Sequence, residues 1–85
     1  MTEDPLVLFG RRLAELRVRH GWSQERLAHE SGLARSYLGG VERGKRNLSL
    51  LNIYKLARTL DVEPYELLLP STVDEDVDRL LGRIS

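Results

Sequence analysis

Residues 23–43 read SQERLAHESGLARSYLGGVER, and their punctuation divides them into two short helices. Ser23 is a good N-cap, because its hydroxyl accepts one of the free amides at a helix start. Trp22 before it and Leu27 after it stand in staple positions. Leu27 and Ala28 point inward, and Gly32 ends the first helix where the chain must reverse sharply, often with positive φ. The second helix runs from about Arg35 to Arg43, with Leu38 and Val41 inward. Two short helices joined by a glycine-containing turn hold the second one out from the body.

Outward from this pair, every segment has helical period. Pro5 suits the first turn of an opening helix, in which Phe9, Leu13, Leu16 and Val18 recur at helical spacing up to Gly21. Ser49 caps a fourth helix, with Leu48 and Ile53 as its staple and Leu50, Ile53, Leu56, Ala57 and Leu60 as its stripe. Pro64 opens a short fifth helix that ends before Pro70. Thr72 and Glu75 have capping-box spacing, and Val73, Val77, Leu80, Leu81 and Ile84 make a stripe for a sixth. The expectation is an all-α, five-helix domain of 85 residues, core 6–69, with a C-terminal extension over 71–85. Eighty-five residues support one modest core. Aromatics are only 6% of the chain, so Leu, Val, Ile and Ala supply the packing.

Composition also narrows the chemistry. With no cysteine and two histidines, His20 and His29, neither a disulfide nor a convincing metal site is expected. No nucleophile–base pair or phosphate-cradling glycine loop suggests an enzyme, and Gly39-Gly40 falls inside a helix. No cofactor is expected. No apolar run approaches the ~20 residues of a membrane span, and MTEDPL has no signal-peptide pattern, so a cytoplasmic location is the default. Net charge is zero but unevenly placed. From Gly10 to Arg46, nine basic residues against four acidic ones leave +5, balanced by −5 elsewhere. A basic half facing phosphates fits double-stranded DNA as partner.

The run from Gly21 to Leu68, GWSQERLAHESGLARSYLGGVERGKRNLSLLNIYKLARTLDVEPYELL, resembles the Cro and phage-repressor (Xre-type) family of helix-turn-helix transcriptional regulators. The resemblance covers residues 6–69. Within it, RSYLGGVERGKRNLSL is most similar to the controller proteins of restriction–modification systems. The resemblance implies a sequence-specific regulator that binds an operator as a homodimer and represses or activates by blocking or contacting RNA polymerase. Glu25 and Glu30 are candidates for that polymerase contact. It assigns base reading to Arg35 and Ser36, where an arginine fork fits guanine O6 and N7, and places Gly39 and Gly40 on or beside the groove-facing surface. Gln24, Tyr37, Arg43, Lys45, Arg46 and Asn47 are assigned to the phosphate backbone, with Gln24 also bracing the recognition helix. Arg17 and Glu42 match a structural ion pair, with a phosphate also within reach of Arg17. A dimer surface is expected at Val62, Tyr65, Leu67, Leu68 and Leu69, joined by Val77, Leu80 and Leu81 of the extension. Two readings stand beside the regulator: an antitoxin that binds DNA and a toxin, and a protein-interaction module without DNA binding.

Two features depart from the family pattern. Ala34 stands where a capping Ser, Thr or Asp is usual, forgoing ~1 kcal/mol. The paired glycines cost roughly 0.5–1 kcal/mol each relative to alanine, and a close approach of helix to bases is one reason to keep them. Arg11, Arg12 and Arg19 read as a solvated face rather than a phosphate patch, and Trp22 as a core staple.

Overall fold

The computed structural model describes residues 4–71. The described residues form five helices in the order α1 (Pro5–Arg19), α2 (Gln24–Ser31), α3 (Arg35–Glu42), α4 (Leu50–Thr59) and α5 (Pro64–Leu67). The expected sixth helix lies outside the described residues. None of the helices described is long and apolar enough to cross a membrane.

Local chemistry sets the helix starts. Asp4 accepts from the Leu6 amide at 2.9 Å ahead of Pro5. Ser23 accepts from Arg26 at 3.0 Å, and Ser49 from Asn52 at 3.1 Å. Glu66 reaches back to the Glu63 amide at 2.8 Å, the return half of a capping box. Ala34 caps nothing with its side chain, so α3 begins without that bond. At the other end of α2, Gly32 takes φ +76 and its amide donates to Ala28 at 2.9 Å. Residues with a Cβ resist that left-handed geometry.

The core joins all five helices: Phe9, Leu13 and Leu16 of α1 meet Leu27, Leu38, Val41, Leu56 and Leu67. Three expectations about it need correction. Val18 is exposed, because it follows the last inward turn of α1. Leu50 is 68% exposed, because the first turn of α4 projects beyond the core. Leu67, expected at the dimer surface, is fully buried, since α5 docks that residue between α1 and α4.

Two close contacts of α1 place the α3 end and α5. Gly10 lies against the end of α3 so tightly that a Cβ there would come within 2.5 Å of the Val41 and Glu42 carbonyl oxygens. Arg12, read as a solvated residue, is instead buried. Its Nε donates to the Glu66 carbonyl at 2.7 Å and its guanidinium pairs with buried Glu15 at 3.1 Å.

Candidate nucleic-acid interface

The pose of α3 is fixed, and the fixing is ionic and buried. Glu42, the last residue of α3, is 2% exposed. Its carboxylate accepts from Arg17 Nε at 2.7 Å and from a second Arg17 nitrogen at 3.1 Å. Gln24, at the start of α2, donates to the same carboxylate at 2.8 Å. The remaining terminal nitrogen of Arg17 donates to the Trp22 carbonyl at 2.8 Å. One carboxylate thus collects α1, α2 and α3. A fork-on-fork pair carries direction as well as charge, so it sets the angle of α3. Arg17 is therefore not reaching for a phosphate: it is buried, and each guanidinium nitrogen already has an acceptor. Gln24 acts in this geometry as a brace.

The outer face of α3 is different in character. Arg35 and Ser36 sit exposed in its first turn. The nearest carboxylate to the Arg35 guanidinium is that of Glu25, at 4.0 Å, with both side chains well in water. Such a contact contributes little and is easily exchanged for another acceptor. After α3, Arg43, Lys45 and Arg46 are exposed, and no carboxylate among the described residues pairs with them. The surface offers unneutralised positive charge beside the exposed tip of the helix. Glu30, by contrast, is engaged with Arg26 at 2.9 Å.

The glycine pair lies beneath side chains of this face. Both residues are buried by their own chain. A Cβ on Gly39 would lie 3.2 Å from an Arg43 terminal nitrogen and 3.7 Å from Gln24 Oε1, and one on Gly40 would lie 2.7 Å from Arg46 Cγ. Side chains of this protein, those of Arg43, Gln24 and Arg46, therefore cover the two glycines in the protein alone. Half-buried Tyr37 also has a partner within the fold. Its hydroxyl donates to the Asn47 carbonyl and accepts from Asn52 Nδ2, both at 3.3 Å, while Asn47 Oδ1 accepts from the Leu48 amide at 2.9 Å. These contacts tie the loop after α3 to the start of α4.

Trp22 packs partly buried against the core, with His20 edge-on at 4.3 Å and Arg26 over its ring at 4.9 Å. On the far side, α4 and α5 leave Leu51, Tyr54, Tyr65, Leu68 and Leu69 exposed. Val62 is half-buried, packed against the core. Of the expected dimer residues, Tyr65, Leu68 and Leu69 are on the surface, and Leu51 and Tyr54 of α4 are exposed as well. Val77, Leu80 and Leu81 lie outside the described residues.

Known proteins are similar to this chain in sequence and fold. Control protein C.BamHI of Bacillus amyloliquefaciens is 42% identical over 74 residues, 86% of this chain and 91% of its own length. The restriction–modification controller protein C.AhdI of Aeromonas hydrophila has 68% identity to this chain, and its crystal structure superposes with a TM-score of 0.72. That match covers 73% of this chain and 94% of C.AhdI. The controller C.Esp1396I, solved as a tetramer on its natural 35 base-pair operator, is 31% identical with a TM-score of 0.67, covering 78% of this chain and 92% of its own. A helix-turn-helix family model matches residues 13–67, which span the braced α2–α3 pair and its support. The chain belongs to the helix-turn-helix family that includes the restriction–modification controller proteins.

Proposed function

We propose that this protein is an operator-binding transcriptional regulator of the controller type, acting as a homodimer on double-stranded DNA. The observation that carries the reading is the contrast within α3. Its inner end is locked by Glu42 with Arg17 and Gln24, and its outer end offers Arg35 and Ser36 beside Arg43, Lys45 and Arg46, which have no carboxylate partner among the described residues. In this reading Arg35 reads a guanine edge and the loop cations hold the phosphates.

One recognition helix spans too few base pairs for useful selectivity, and a two-fold pair spans two half-sites about one helical turn apart. The exposed Leu51, Tyr54, Tyr65, Leu68 and Leu69 of α4 and α5 support such a pairing surface, since large apolar side chains in water gain from a partner that covers them. The resemblance to controller proteins supports a restriction–modification operon as the regulated target. RNA polymerase is then the partner that an occupied operator blocks or recruits.

The test is selection of bound duplexes from a random pool, followed by fluorescence anisotropy at several salt concentrations. The expected outcome is a symmetric site and a steep salt slope. Arg35→Ala should weaken that site by ~1–3 kcal/mol, about 5- to 150-fold, and relax selectivity at one base pair per half-site. An Arg35→Ala protein with the parent's affinity and selectivity would overturn the assignment.

A further inference from the structure

The loop after α3 is folded back on the helix it leaves. Gly44 donates its amide to Val41 at 3.0 Å and Lys45 donates to Gly40 at 2.8 Å, so the chain reverses over the last turn of α3. Tyr37 and Asn52 secure the far end of the loop through the Asn47 carbonyl. Between these two anchors, Arg46 lays its aliphatic stem against Gly40. An ideal Cβ at residue 40 would stand 2.7 Å from Arg46 Cγ, 3.6 Å from Nε and 3.7 Å from Cδ. Cγ belongs to the root of the side chain rather than its mobile end, so an added methyl displaces the whole stem. The guanidinium beyond it has no carboxylate partner among the described residues.

We propose that Gly40 is a positioning residue for Arg46: its missing side chain is a seat that holds the stem and presents the guanidinium as a preset DNA contact beside the recognition helix. The proposal rests on the regulator reading above and adds a specific task for one of the two glycines. A long cation held before binding has less freedom to lose on contact, which raises affinity without a new bond. A glycine inside an eight-residue helix otherwise weakens it. Burial of Gly40 by this chain also separates the seat from a close-approach role, in which an added methyl would meet the DNA whatever stands at position 46.

A double-mutant cycle on the full chain tests this, using Gly40→Ala, Arg46→Ala and the combination, with the selected duplex as probe. Arg46→Ala should weaken binding about tenfold and lower the salt slope by about one. Gly40→Ala should weaken binding about five- to tenfold, and the combination should match Arg46→Ala within about twofold, showing coupling. Thermal melts without DNA give the second readout. Gly40→Ala should raise the melting temperature more in the Arg46→Ala background, where nothing remains to collide with the methyl, than in the parent. An equal Gly40→Ala penalty on binding in both backgrounds, or an Arg46→Ala protein that binds like the parent, overturns the proposal. So does an equal thermal effect of Gly40→Ala in both backgrounds. A parent protein that selects no duplex at all instead overturns the regulator reading, while the melts still report on the seat.

Discussion

Glu42→Gln is the sharpest probe of how α3 is held. The change keeps the volume and one carbonyl oxygen but removes the charge that accepts from Arg17 at 2.7 and 3.1 Å and from Gln24 at 2.8 Å. It also turns an amide NH2 toward nitrogens that are themselves donors. The Arg17 side chain is only 10% exposed and cannot recover its hydration where it stands. Stranding a buried charge in this way costs about 3–5 kcal/mol. Total stability for a chain of this length is roughly 4–13 kcal/mol, so a large share is lost. At about 4–8 °C per kcal/mol, a loss of ~4 kcal/mol lowers the melting temperature by roughly 16–32 °C. Urea titration followed by far-UV circular dichroism and by Trp22 fluorescence measures it, with coincident curves confirming one transition. The paired replacement Arg17→Met with Glu42→Leu should recover much of the stability, since no charge is then left buried. A Glu42→Gln loss below about 1 kcal/mol would refute the argument that this carboxylate holds the three helices together.

Two further changes test the frame around the interface. Gly10→Ala pushes a methyl into the Val41 and Glu42 carbonyl oxygens, backbone atoms that cannot swing aside. It should cost ~1–3 kcal/mol by overpacking, and a thermal melt equal to the parent's would contradict the close crossing of α1 and α3. Ala34→Ser supplies the hydroxyl that the start of α3 lacks. The expected gain is ~1 kcal/mol, or about 4–8 °C in a calorimetric scan, and no gain would mean that another group already satisfies those amides.

Legibility in the sequence followed the range of the interaction. Ser23, Ser49, Pro5, Pro64 and Gly32 announced their helix ends because a cap or a φ preference involves only three or four neighbouring residues. Leu27, Leu38 and Val41 were readable as core because burial on one helical face leaves a period. Leu50 and Leu67 were misplaced for the same reason: a period shows that a face is apolar but not how far the neighbouring helix extends over it. Arg35 and Ser36 stand at the exposed tip of α3, where motif and turn geometry point to the same two residues.

By itself, then, the amino-acid order determined, among the described residues, an all-helical fold with its helix boundaries, and it determined the basic stretch around α3, since each depends on short-range backbone chemistry or on charge that can be counted. Tertiary structure alone decided what Gly10, Arg12 and Gly40 do. Arg12 meets a carbonyl 54 positions away, Gly10 supports the end of α3, and Gly40 lies under a side chain from the following loop. Such contacts depend on where distant backbone segments cross, and the crossing is settled only when the whole core packs at once.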